Sequence, residues 1–190
     1  MAFTIDSFRN KALAGGGARA NLFDVTISGV GVTTNMGGTG TADFTFACKA
    51  AAIPAMTVGV VEVPYFGRVV KVPGNKTFDN WNVTVINDEN FTIRDGFEKW
   101  IASMGTHIGN VNTSTNTNLY GTGVVKQYAK TAGAAIATYS FVNIFPVNMS
   151  EIALGWDSND AIEEYTVEFA YDYWSHSGGT PGGAVAGTQT

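Results

Sequence analysis

The twelve residues from Glu163 to Trp174, EEYTVEFAYDYW, constrain the fold more than any other stretch. Odd positions carry Tyr165, Val167, Phe169, Tyr171 and Tyr173, while the even positions include Glu164, Glu168 and Asp172. Side chains of a strand alternate between faces, so this pattern predicts one long strand over 160–174, aromatic on one face and acidic on the other. At about 3.3 Å per residue, twelve residues span roughly 40 Å, about twice an ordinary strand.

The same alternation recurs along the chain. NLFDVTIS (21–28) sets Phe23, Val25 and Ile27 against Asp24, Thr26 and Ser28, and FDNWNVTVI (78–86) groups Trp81, Val83 and Val85. DFTFACKA (43–50) predicts a strand with Phe44, Phe46 and Cys48 on one face, after a mobile Gly/Thr-rich loop at 29–42. Two β-branched runs around Pro64-Tyr65-Phe66-Gly67 predict a long hairpin over 56–72, and further strands are expected at 124–130 and 135–145. One helix interrupts the pattern at 89–104, where Ile93, Phe97, Trp100, Ile101 and Met104 recur at the spacing of a single apolar stripe. Asn87 or Asp88 suits its start and Gly105 its end. A short helix within 3–13 precedes the Gly-rich AGGGARA joint, a polar loop fills 106–123, and nothing in the last stretch can be buried. The expected organisation is an N-terminal arm (1–20), one domain (21–174) and a flexible Gly/Thr-rich tail (175–190).

With 190 residues, 45% hydrophobic, the chain can bury a core as one domain, and 23 glycines with only 14% charged residues fit a β-rich protein. A net charge of −5 argues against a basic surface that holds nucleic acid. The single cysteine, Cys48, allows no intrachain disulfide. The first twenty residues lack a signal-peptide apolar run, and no stretch approaches the roughly 20 apolar residues of a membrane span.

No constellation for catalysis emerges. His107 and His176 lie far apart in a loop and in the tail, without a second ligand or nucleophile at useful spacing. Cys48 alternates with two phenylalanines, as a small core residue does. DSND (157–160) is rich in oxygen but lacks the glycine and distant glutamate of a calcium loop, so it reads as a turn. Five N-x-[ST] triplets reflect only an Asn- and Thr-rich chain, and GGG at 15–17 follows no strand. No cofactor or metal is implied. Long strands with few lysines to blunt their edges point instead to association, and closed rings of identical subunits pair every edge.

At this point ANLFDVTI, FTFACKAAAIPA, KTFDNWNVTVINDENFTIRDGFEKW, VVKQYAK and LGWDSNDAIEEYTVEFAYDYW, collinear over roughly 20–174, together resemble the tail tube proteins of T4-like contractile bacteriophages. The chain departs from that pattern in longer loops at 29–42 and 106–123 and in its tail. The resemblance implies a mainly β subunit, two antiparallel sheets in a sandwich or split barrel with one flanking helix. It implies rings of six, each subunit lending four strands to a continuous 24-stranded inner barrel, stacked into a tube inside a contractile sheath. Barrels of 16–18 strands already leave an open channel, so such a barrel is a conduit. The implied partners are further copies of the chain, the sheath, baseplate and tail terminator proteins, a tape measure protein, double-stranded DNA passing without specific binding, and the bacterial envelope on contraction. The implied location is the virion, after assembly in the host cytoplasm.

Within that frame Glu164, Glu168 and Asp172 are candidates to line the lumen, the alternative being the exterior or an interface. Tyr65, Phe66 and Arg68 are candidates for contacts between subunits or rings, because a free hairpin turn carries Asn, Asp or Gly rather than two aromatics. The alternative there is that Phe66 folds into its own core. Two other readings stand beside the phage tail: the inner tube of a phage-derived injection machine, and, from another class, a monomeric β-sandwich binding module with aromatics on one sheet face. An enzyme is not expected.

Overall fold

The fold is a computed structural model that describes residues 4–11, 13, 16–112, 119–130 and 135–177. Its order is α1 (Ile5–Lys11), β1 (Phe23–Ser28), α2 (Val30–Ala47), β2 (Cys48–Ala51), β3 (Met56–Tyr65), β4 (Arg68–Phe78), β5 (Trp81–Ile86), α3 (Thr92–Met104), β6 (Gly121–Tyr128), β7 (Ala135–Met149), β8 (Glu164–Ala170) and β9 (Tyr173–Ser177). Every strand pairing is antiparallel. The mainly β class read from the alternation is the observed one.

The architecture turns on β7, which serves two groups of strands. Its first half lies between β6 and β9, and its second half pairs β8. Two four-stranded groups result, β1-β6-β7-β9 and β2-β5-β8-β7, sharing this one strand. The switch occurs at Asn143, whose φ of 57° only a short polar residue or glycine adopts readily. Strands that change sheets do so through such bends.

That corner also corrects the single strand expected over 160–174. Ala170 faces Phe145 and Tyr173 faces Val142, so the ribbon keeps one register across the corner but breaks at Tyr171–Asp172. Asn143 Nδ2 donates to Asp172 Oδ2 at 2.5 Å, and the Asp172 N–H donates to the Val142 carbonyl at 3.1 Å. Past the bend the inward face changes parity: Tyr165, Val167 and Phe169 are buried before it, whereas Trp174 packs on the core after it. The strand then continues to Ser177, so 175–177 are not tail; 178–190 lie outside the described residues.

Between the two groups lies an aromatic core. Trp81 stacks on Phe141 with centroids 4.4 Å apart, and Phe169 packs within 6.3 Å of Trp81, Phe97 and Trp100. Helix α3 closes the core with Ile93, Phe97 and Trp100, all buried, while Ile101 is only half-buried at the edge of the stripe. The Trp100 indole donates to the Leu119 carbonyl at 2.7 Å, so its one polar atom is satisfied. Asp88 caps this helix, accepting the N–H groups of Thr92 and Ile93 at 3.0 and 3.4 Å. Desolvation acts to raise its pKa, and these hydrogen bonds outweigh it to leave the carboxyl below its ordinary value.

The largest departure from the sequence reading is α2. The expected loop at 29–42 and most of the expected strand at 43–50 form this helix, so two helices flank the sheets rather than one. Gly37, at φ 70° and ψ 169°, kinks it. Its Gly- and Thr-rich composition is poor for a helix, but Val32, Met36 and Phe44 reach the core, and tertiary packing overrides propensity. Phe46, expected beside Phe44, is 88% exposed, because residues two apart on a helix point apart. Close approach of the two helices needs Gly96, where a Cβ would stand 2.7 Å from Met36 Cγ.

Truncation of the buried indole in Trp100→Ala is expected to cost about 3–5 kcal/mol. A denaturant melt of dispersed subunit, read by circular dichroism, measures it as a lower midpoint.

Candidate assembly surfaces

Two surfaces hold the residues singled out in the sequence. The first is the outward face of the β2-β5-β8-β7 group. Because Tyr165, Val167 and Phe169 point into the core, the pleat turns Glu164, Thr166 and Glu168 out, opposite Ile86, Thr84 and Asn82 of β5. Lys49 of β2 pairs with Glu164 at 2.5 Å, and Asn80 donates to Glu168 at 2.8 Å. Both partners of the ion pair are exposed, so it adds little stability. Lys49 does offset one acid, and the face is mainly uncharged and polar rather than strongly acidic. Glu164 and Glu168 share it; Asp172 does not belong to that strand and braces the corner against Asn143.

The second surface is the β3–β4 hairpin, longer than the sequence suggested because β4 runs to Phe78. At about 3.4 Å per residue its ten-residue arm reaches roughly 30 Å. Among the described residues the two strands pair only with each other. Every residue of β3 is exposed. Val61 faces Val72 and Val63 faces Val70, forming a valine ladder with no cover among the described residues. An isolated two-stranded hairpin is at best marginal in water, and contiguous apolar surface marks a contact.

At its tip, Tyr65 and Arg68 close a two-residue turn through Phe66 and Gly67, with φ of 42° and 79°. Two positive φ values define the hairpin turn that prefers Asn-Gly. Phe66 therefore holds a left-handed backbone that a bulky residue adopts at a cost of about 1–2 kcal/mol. Its ring is 93% exposed and meets Tyr65 edge-on at 4.6 Å, so it does not fold into the core of its own subunit. Strain of this kind persists where it serves a function.

Sequence reasoning missed a third exposed group. Leu154, Trp156 and Ile162, on the segment between β7 and β8, are 81%, 100% and 70% exposed. Its signal was present: two large apolar residues, Leu154 and Trp156, just before DSND, which reads as a turn.

Reactive chemistry is not assembled among the described residues. Burial, reinforced by the nearby Asp24 charge, pushes the Cys48 thiol up to about 12, which leaves little thiolate for attack. His107 is exposed, and His176 packs on the Tyr139 ring at 4.8 Å. No group of three His, Cys, Asp or Glu side chains converges as metal ligands would, and no helix is long and apolar enough to cross a membrane, among the described residues.

The family model for phage tail tube proteins matches residues 18–177. The chain belongs to that family. Tail tube protein gp19 of Enterobacteria phage T4 is 36% identical over 171 residues, covering 90% of this chain and 98% of that one. The tail tube protein of Serratia phage KSP90 is 24% identical over 169 residues, covering 88% and 94%. Among solved structures, the tube-terminating cap of the anti-feeding prophage superposes with a TM-score of 0.62 at 13% identity, covering 85% of this chain and 91% of that one. The sheath–tube complex of an extracellular contractile injection system gives 0.56 at 13% identity, covering 93% and 99%. At such identities these structures speak to the shared fold, which has been seen in sheath–tube, terminator and baseplate assemblies. This tail tube protein is thus a structural component of a phage virion and not an enzyme. Among the described residues its most exposed aromatics, Trp156, Phe66 and Phe46, sit on a loop, a hairpin tip and α2 rather than together across a sheet face, unlike the binding-module alternative.

Replacing Phe66 with Asn removes the backbone strain and supplies the residue the turn prefers. Phe66→Asn is expected to stabilise the hairpin by on the order of 1 kcal/mol. Hydrogen exchange of dispersed subunit checks this as several-fold slower exchange of the Val61 and Val63 amides.

Proposed function

We propose that six copies of this chain close a ring and that rings stack into a tail tube, the conduit through which the genome leaves the capsid. The observation that carries this reading is the uncovered β3–β4 arm, whose valine ladder and strained aromatic tip have no partner among the described residues. A second copy supplies the missing cover, and ring closure disposes of unpaired edges at β1 and β2. Each subunit lends the four strands of the β2-β5-β8-β7 group to a 24-stranded wall, with Glu164, Thr166 and Glu168 toward the lumen. A tape measure protein sets the number of rings, sheath surrounds the tube, and assembly takes place in the host cytoplasm. On contraction the tube crosses the bacterial envelope.

The chemistry of the wall suits passage. Duplex DNA carries a negative charge about every 1.7 Å along its axis, and a basic wall would hold it throughout its length. A wall of Asn, Thr, Ile86 and carboxylates, whose cation Lys49 is already paired with Glu164, offers no such grip. Its weak repulsion reaches about 8–10 Å at physiological salt. The injection-machine alternative has the lower sequence support, at 13% identity against 36% for the phage relative.

Changing Phe66 and Arg68 together to Ser tests the contact. The double variant is expected to keep the circular dichroism of a folded subunit yet form no tubes by negative-stain microscopy; assembly at the parental concentration would refute the role of the arm. Glu168→Lys in assembled virions tests the wall. Six added cations per ring are expected to slow genome release, measured as dye-labelled DNA leaving the particle, and more so at low salt. Unchanged release kinetics would place β8 away from the lumen.

A further inference from the structure

Charge in this chain is segregated in a way that names the receptor of the arm. No Lys or Arg follows Lys130, while seven of the 16 acids do. The hairpin, by contrast, carries Arg68, Lys71 and Lys76 against the single acid Glu62. We propose that the hairpin of one copy docks on the loop between β7 and β8 of a second copy, basic apolar arm against acidic apolar receptor. This rests on the tube reading and specifies which surfaces meet in it.

The loop is built to receive such an arm. Its roots are fixed: the Ser150 N–H donates to the Thr166 carbonyl at 2.9 Å, the Thr166 N–H donates to Ser150 Oγ at 2.9 Å, and the Asn87 N–H donates to the Glu163 carbonyl at 2.9 Å. Between them the Ser158 N–H closes a turn on the Gly155 carbonyl at 3.1 Å. From this frame Leu154, Trp156 and Ile162 project into solvent, flanked by the exposed acids Glu151, Asp157 and Asp160. None of these three carboxylates pairs with a cation of its own chain among the described residues.

Both surfaces thus have the same composition, large apolar groups bordered by charge, with opposite sign. A tryptophan and an arginine are the residues that most often dominate an interface once desolvated. Val61, Val63, Val70 and Val72 supply the apolar counterpart of Leu154, Trp156 and Ile162. Arg68, at the tip, can meet Asp157 or Asp160 through two parallel hydrogen bonds. Opposite charges also steer the encounter and fix its register.

Charge exchange tests the pairing with three chains: Arg68→Glu, Asp157→Arg with Asp160→Arg, and all three changes in one chain. Either reversal alone is expected to raise the protein concentration needed for tubes, by sedimentation and microscopy, at least about tenfold. The combined chain, with the pairing restored in reverse, is expected to return most of the way to the parent. If the loop reversal assembles like the parent, or the combined chain does no better than Arg68→Glu, the docking is wrong while the tube reading stands. A parent that forms neither rings nor tubes overturns both. A reading that needs no charge change comes from mixing Phe66→Cys and Trp156→Cys chains, each also carrying Cys48→Ala. Mild oxidation of the mixture is expected to give a disulfide-linked pair, and assembled tubes without that link overturn the proposal.

Discussion

The fold depends on the ring of Phe169. It sits on β8, and three aromatic side chains converge on it: Trp81 from the neighbouring strand, and Phe97 and Trp100 from α3. Trp81 in turn stacks on Phe141 of the other strand group. Sheet, sheet and helix are thereby joined through one cluster of flat groups, each pair worth about 0.5–1.5 kcal/mol beyond the area it buries. The antiparallel ladders set strand order, but this cluster sets how the two groups and α3 stand against one another. Both indole N–H groups in it reach carbonyls, of Ala52 and Leu119, so the cluster carries no unpaired indole donor.

Most of that core was legible in the sequence. Period-two alternation placed Val25, Ile27, Trp81, Val83, Val85, Tyr165, Val167 and Phe169 inward, and all eight are buried. The α3 stripe was equally clear at Ile93, Phe97 and Trp100. What failed was the stretch from Val30 to Ala47. There local propensity says loop and then strand, and only the wider four-residue recurrence of Val32, Met36, Gly40 and Phe44 marks a helix. The stabilising partner, the α3 groove opened by Gly96, is far away in sequence and so invisible to any short window. The corner at Asp172 failed for a similar reason. Nothing in EEYTVEFAYDYW announces a bend, because the bend is imposed by Asn143 on the opposite strand.

The candidate surfaces were legible to different degrees. Chain order alone put Tyr65, Phe66 and Arg68 at a turn, and aromatics in a place suited to Asn and Gly were already anomalous. The left-handed φ of Phe66 gives that anomaly an energy. The alternation set Glu164 and Glu168 on the face opposite the aromatic one, as in the fold, but the charge of that face was overstated, because Lys49 arrives from β2 by tertiary folding. Trp156 was passed over since a turn motif explained its neighbours.

These features divide the labour of stabilisation unequally. The core is satisfied within one chain and should fold on its own contacts. The arm is not: a solvated two-stranded hairpin hardly offsets the conformational entropy of ordering it, about 1–2 kcal/mol per residue for the backbone. In the proposed tube a neighbouring copy completes the ordering of the arm, so the cost falls on the contacts between copies. In the same proposal the strained phenylalanine at the tip adds to that cost, which burial of its ring in an apolar site of the neighbour would offset.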